Sequence, residues 1–474
     1  FVIQLFKSSS YRNWRIVLWK INLRKNTQHL TTQNIPSLIK QLAIPASVGM
    51  FFNTMYNVVD TFYAGLISTQ AIAALSLSFM IFFLIIGFGY GFSSAITALL
   101  GNALGKKRYK LASIYAHKGL FFVPIIGLGL AIIGYYSSPF LFKLLGAQDE
   151  YLQISLDYIN PILFGAVFFM FNFSLNSILV ATGDTKTYRN SLIFGFFANM
   201  TLNPVFIYGF LFIPAMGIKG IAISTVLIQV INMFYLLYKV LQTKLIHFEK
   251  PEYFIPNLRV YKQFLFQGLP ASLNMLTMAI GSLILTYFVS QYGMQAVAGY
   301  GIGYRVEQLM LLPALGISTA VLTLVSNNFG AKKYDRVMET VKTALKYGFI
   351  VDTVGIIVLT ILGRFIISQF DSNAVVVDFG VSYLLIEIWI FYAYVVLFIC
   401  VSTLQAIKKP KMLLYIGLYR QIFAKLIIAY VIVKYLELDF IYLWFGVLFM
   451  IYSASIFIYF YTRRLLKEVC NTTF

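Results

Sequence analysis

The residues best placed to do chemistry surround one carboxylate. Asn53, Asn57 and Asp60 fall at i, i+4 and i+7 in an otherwise apolar stretch, so they share one face of a helix. On insertion scales a carboxylate inside a membrane helix costs about 2.5–3.5 kcal/mol, and it therefore faces a bundle interior or a cavity. Burial also penalises its charged form, which suits it to exchanging a proton. Ionised, it could instead hold Na⁺ or a cationic substrate among amide and hydroxyl oxygens. One elementary charge crossing 100 mV is worth about 2.3 kcal/mol, so a single such group can couple transport to an ion gradient. Asn172 and Asn176, Asn199 and Asn203, and Thr225, Gln229 and Asn232 form further polar stripes at helical spacing. Amides of this kind can simply bond helices to each other. Four stripes around one carboxylate point to a site, with Asp60, Asn199, Asn203 and Thr225 as the possible Na⁺ ligands.

A second set of charges lies later in the chain: Arg305, Glu307, Asp352, Glu387, Arg420 and Lys425, all in apolar segments. Lys425 needs a partner there, and Glu387 and Glu307 are the candidates. The set reads as a structural ion-pair network, or else as a second titratable site or a contact for an anionic substrate group. No clustered nucleophile, acid–base pair or phosphate-binding loop accompanies it. His29, His117 and His247 lie far apart, and Cys400 and Cys470 are too few for a disulfide framework. The expectation is a non-enzyme without resident metal or cofactor, using H⁺ or Na⁺ as a coupling ion.

These groups must be positioned by membrane helices. Of 474 residues, 59% are hydrophobic and 11% charged, against about 25% charged in soluble domains. Twelve hydrophobic segments are expected, at about 38–65, 69–100, 111–141, 151–181, 188–212, 217–243, 261–290, 295–327, 335–363, 376–406, 412–435 and 440–462. Lys and Arg concentrate in the N-terminal arm, in the connections after even-numbered segments and in the tail, which places both termini in the cytoplasm. That distribution explains most of the net charge of +20 without any nucleic-acid partner. The partner is the lipid bilayer of the cytoplasmic (inner) membrane. Residues 11–25 mix aromatics and bases and either lie at the interface or, as favoured here, form a loosely ordered arm.

The chain also repeats itself. At an offset of 225, Pro45-Ala46-Ser47 meets Pro270-Ala271-Ser272, Gly91 meets Gly316, Asn102 meets Asn327, Gly105 meets Gly330, Tyr158 meets Tyr383 and Ala181 meets Ala406. Six segments per unit make this a parallel repeat. The fold class expected is an all-α integral membrane protein of twelve transmembrane helices in two six-helix bundles. Its parts are a basic arm (1–34), an N-lobe (35–243), a linker (244–260), a C-lobe (261–467) and a tail (468–474). The lobes disagree at the polar positions: Asp60, Asn176, Asn199, Asn203 and Thr225 correspond to Leu285, Val401, Ala424, Ile428 and Met450.

The stretches NVVDTFYAGL, ATGDTKT, NMTLNPVFIYG, GYRVEQLMLLP and NNFGAKKYDRV, in this order on a six-plus-six plan, resemble the multidrug and toxic compound extrusion (MATE) family from about Ile35 to Lys467. The resemblance implies two bundles rocking between outward- and inward-facing states. It implies export of organic cations or amphiphiles in exchange for H⁺ or Na⁺ by a monomer. It makes Asp60 the coupling residue and places Tyr158, Asn176, Asn199 and Thr225 around it; Asn57 and Asn203 join them as substrate- or cation-binding candidates by their helical spacing. Many members carry a second aspartate where this chain has Asn203, and some carry an acidic residue in helix 7, where this chain has none. A flippase for a lipid-linked or polysaccharide precursor is the alternative, with Lys425 and Arg420 in its favour.

Overall fold

The structure, a computed structural model, describes residues 29–247, 251–253 and 255–470. Twelve spans emerge: α1 (Ile35–Ile67), α2 (Thr69–Gly105), α3 (Tyr109–Leu144), α4 (Asp149–Ala181), α5 (Lys186–Tyr208), α6 (Ile218–Gln242), α7 (Leu258–Tyr292), α8 (Met294–Gly330), α9 (Tyr334–Ser368), α10 (Ala374–Glu387 with Ile390–Ala406), α11 (Lys411–Tyr435) and α12 (Phe440–Cys470). All are long and apolar enough to cross a bilayer, α10 when its two halves are taken as one span bent by 52°. Several run beyond the expected ends, since a helix keeps its backbone hydrogen bonds after leaving the hydrocarbon. The interfacial or loose arm expected at 11–25 lies outside the described residues.

Local chemistry sets several ends and breaks. Ser68 caps α2 by accepting from the Ala71 amide at 3.0 Å, and Asn257 accepts from the amides of Arg259 and Val260 at the start of α7. Pro204 in α5 has no N–H to offer the carbonyl of Met200; the Tyr63 hydroxyl of α1 donates to it at 3.0 Å instead. α8 is interrupted at Leu311, two residues before Pro313. α11 widens into π-helical turns at Tyr419–Phe423 and Val431–Tyr435, a distortion frequent at functional sites.

Two apolar cores form, one built mainly from α1–α6 and the other mainly from α7–α12, and each takes in turns from the other set. The first turns of α1 (Ile35, Leu38, Ile39, Leu42) pack into the C-lobe core. Val260 and Phe264 of α7 pack into the N-lobe core. Each lobe's first helix therefore starts in the other lobe. The arm is anchored the same way: Leu30 is fully buried, and its carbonyl accepts from Asn328 Nδ2 of α8 at 3.2 Å.

The lobes meet through a doubled set of contacts that obeys the repeat. A Cβ on Gly91 would lie 2.1 Å from Ser272 Oγ, and one on Gly316 would lie 2.0 Å from Ser47 Oγ. A Cβ on Gly105 would strike the Asn327 carbonyl oxygen, and one on Gly330 the Asn102 carbonyl oxygen, at 2.0 and 2.3 Å. Asn102 Nδ2 donates to the Ala406 carbonyl at 2.8 Å, and Asn327 Nδ2 donates to the Ala181 carbonyl at 3.1 Å. These contacts shut the cleft at the end that carries the basic connections. Only glycine lets the backbones approach this closely. Gly105→Ala and Gly330→Ala should therefore force the lobes apart at this end. Maleimide labelling of a Ser326→Cys reporter should rise in either variant; labelling equal to that of the parent would show that the glycines do not set the closure.

Candidate functional site

Asp60 sits on α1, 4% exposed, between a cavity and a wall of amides. The cavity, of about 470 Å³, is lined on the α1 side by Asn53, Asn57 and Asp60, all on the face expected from their spacing. Behind the carboxylate lie Asn199 and Asn203 of α5, both fully buried. Their Nδ2 groups donate to the same oxygen, Asp60 Oδ1, at 2.8 and 2.9 Å. Thr225 Oγ1 of α6 reaches Asp60 Oδ2 at 3.4 Å. The four-residue spacing of the two asparagines stacks them on one face of α5, and this lets both serve one oxygen.

A further layer holds these donors. Ser224 donates to Asn203 Oδ1, and the two asparagines also bond each other at 3.3 and 3.5 Å. Tyr56 donates to Thr225 Oγ1 at 3.0 Å. Sequence reasoning missed Tyr56 and Ser224. One is among 33 tyrosines and the other adjoins Thr225, so neither carried a distinguishing signal. Tyr158, Asn172, Gln229 and Asn232 line the same cavity, and Asn172 is tied to Gln229 by bonds of 3.0 and 2.8 Å. Asn176 lies outside the cavity lining, and its Oδ1 is enclosed without a partner. It is one turn beyond Asn172 on α4, past the end of the cavity.

The arrangement can hold a carboxylate, but its donor set does not fit Na⁺ as it stands. The amides present NH₂ groups to Asp60, while their oxygens face each other and Ser224. A cation at Asp60, Asn199, Asn203 and Thr225 needs oxygens turned toward it. No basic side chain lines the cavity among the described residues, and no group of three or more His, Cys, Asp or Glu residues among them could hold a metal.

The C-lobe contains a second cavity of about 520 Å³, and it is the repeat of the first. Met278, Ser282 and Leu285 line it where Asn53, Asn57 and Asp60 line the N-lobe cavity, and Tyr383 stands for Tyr158. Its charges occupy apolar positions of the other lobe: Glu307, Glu387 and Arg420 replace Phe82, Ile162 and Gly195. Both cavities include Phe79 in their walls, so they adjoin across the cleft.

The charges expected to form a C-lobe network come together in part. Glu307, Glu387 and Lys425 do gather at the cavity, joined by Arg420. Yet Glu307 accepts from the Tyr383 hydroxyl, and Lys425 Nζ donates to Gln421 Oε1 at 2.8 Å. Salt bridges form instead at exposed positions, between Arg364 and Asp378 and between Arg464 and Glu468. Arg305 is exposed. Asp352 is buried on α9 away from this cavity, with Oδ2 unpartnered. Long charged side chains on separate helices need matched lengths and directions to pair, which the order of residues does not reveal.

A sequence model of the MatE family matches residues 45–205 and 270–431, two copies whose starts differ by the repeat offset. The chain is 27% identical over 383 residues to the probable multidrug resistance protein YoeA of Bacillus subtilis, covering 80% of this chain and 83% of that protein. It is 24% identical over 409 residues to a FAD transporter of Shewanella oneidensis, covering 85% and 90%. Among solved structures, it superposes on the outward-facing conformation of a multidrug resistance MATE family transporter of the MOP superfamily. The TM-score is 0.87 at 23% identity, over 94% of this chain and 98% of that one, a likeness of fold.

If the amides serve the carboxylate, their contributions must be coupled. Asn203→Ala should lower stability by about 1–3 kcal/mol, because a buried group loses a partner. In an Asp60→Asn background the same substitution should cost clearly less. Thermal unfolding of the four proteins of this cycle in detergent gives the coupling; additive costs would show that Asp60 and Asn203 do not interact.

Proposed function

We propose that this chain, which belongs to the MatE family of transporters, is an antiporter that exports organic cations or amphiphiles by alternating access, with Asp60 as the coupling group. One observation carries the reading: a buried carboxylate, with no cationic partner among the described residues, faces a cavity large enough for a small organic molecule. The cavity wall is mostly apolar with a few placed polar groups, including Asn57, Tyr158 and Thr225, as multidrug sites require.

The inward-turned amide oxygens favour H⁺ over Na⁺. A proton arriving at Asp60 would remove the charge that Asn199 and Asn203 are aimed at, and would loosen α1 from α5. Both amides bond Oδ1, so a proton on Oδ2 would turn two charge-assisted bonds into weaker neutral ones, a local change that the adjoining cavity would feel directly. A bound organic cation would stabilise the ionised form instead, so cation and proton would compete for one group. Differential affinity of this kind is what coupling requires.

With the basic connections in the cytoplasm, the state described is shut on the cytoplasmic side and outward-facing. The termini then lie in the cytoplasm. One chain supplies both lobes of the cleft, which supports a monomer as the working unit.

The test is efflux of a fluorescent organic cation from proteoliposomes under imposed pH or Na⁺ gradients, applied separately. Wild type should respond to the pH gradient, and Asp60→Asn should lose gradient-driven efflux while remaining folded. Full activity in Asp60→Asn would remove Asp60 as the coupling group. A response to Na⁺ alone would overturn the choice of ion.

A further inference from the structure

The C-lobe cavity contains charge that the Asp60 reading leaves unused. Arg420 projects from the π-helical turn of α11 and is 5% exposed. Its Nε and Nη1 are enclosed without a hydrogen-bond partner, and its guanidinium lies over the Tyr394 ring at 5.4 Å. A guanidinium keeps its charge under all ordinary conditions, and a buried charge without a partner is costly. Glu307 attracts it across space but takes its hydrogen bond from Tyr383, and Glu387 Oε1 is itself unpartnered, so neither carboxylate occupies the guanidinium's free donors. Lys425, 8% exposed, spends one of its three donors on Gln421.

We infer that the C-lobe cavity is a binding site for an aromatic anion, whose carboxylate or phosphate is received by Arg420 with Lys425 beside it. The guanidinium fork matches both groups. Aromatic walls suit a flat ring: Tyr300 stacks on Trp444 at 5.2 Å, and Tyr383 meets Trp444 edge-on at 4.5 Å. The unpartnered oxygen of Glu387 offers an acceptor for an N–H or O–H on the same ligand. At about 520 Å³ the space is that of a small organic ligand. The corresponding N-lobe position to Arg420 is Gly195, so the two cavities of one scaffold select opposite charges. The site stands independently of Asp60, since none of its groups touches that residue.

The experiment uses the full chain in detergent and three naphthalene probes read by fluorescence anisotropy: 2-naphthoate, 2-naphthyl phosphate and uncharged 2-naphthamide. One or both anions should bind at least about tenfold more tightly than the amide, the scale of a charge-assisted hydrogen bond. Whether the carboxylate, the phosphate or both are preferred identifies the group received. Arg420→Gln should abolish the preference, Arg420→Lys should retain part of it, and Asp60→Asn should leave it unchanged. Should Arg420→Gln fail to fold, Val401→Trp, which fills the cavity wall, must abolish binding of the anions. Equal binding of all three probes to wild type overturns the site. So does a preference that survives Arg420→Gln or, in its place, Val401→Trp.

Discussion

A carboxylate inside a helix bundle can keep its charge only if donors or a cation surround it. Here two asparagine amides, stacked one turn apart on α5, converge on a single oxygen of Asp60 from the side away from the cavity. This leaves the other face of the carboxyl group toward the space where a ligand would sit. Much of the N-lobe follows from that demand. Pro204, next to Asn203, frees a carbonyl that Tyr63 of α1 takes up. Ser224 and Tyr56 fix the donors that fix the carboxylate. Each of these bonds joins two of the three helices α1, α5 and α6, so the polar cluster is also what registers them against each other.

The same scaffold, repeated, does something different in the other lobe. At the position of Asp60 stands Leu285, and at the position of Gly195 stands Arg420. The bend of α10 falls beside Glu387 and the π-helical turn of α11 contains Arg420. These are departures from regular helix at the points where charge enters the bundle, and the N-lobe counterparts α4 and α5 run without such breaks. Irregular backbone at membrane depth is tolerated where it is buried in protein or lines a cavity, and here it lines one.

The twelve spans were legible in the sequence because hydropathy over about 20 residues is a strong signal. The repeat was legible because prolines, glycines and asparagines kept one register. The link from Asp60 to Asn199, Asn203 and Thr225 was legible through helical spacing together with the contrast between lobes. The place of Asn176 was not legible in the same way: spacing puts it on the face of Asn172, but the depth of the cavity along α4 is a tertiary quantity. The hydrogen bonding of the C-lobe charges was hidden for a similar reason, since Tyr383 and Gln421 compete for Glu307 and Lys425 and neither competitor is charged. Cross-packing of α1 and α7 was hidden because apolar turns read alike whichever core receives them.

The Gly–Ser and Gly–Asn contacts between the lobes have a property that only symmetry makes visible. Each contact occurs twice with its partners exchanged, Gly91 on Ser272 and Gly316 on Ser47, Gly105 on Asn327 and Gly330 on Asn102. That is the signature of an isologous interface, the kind two identical subunits form about a two-fold axis. A six-helix precursor carrying one such glycine, serine and asparagine set would possess everything needed to homodimerise. Fusion of two copies turns the subunit interface into an internal one without altering a contact. It also releases the two cavities from having to be identical, which is the condition under which one could acquire Asp60 and the other Arg420.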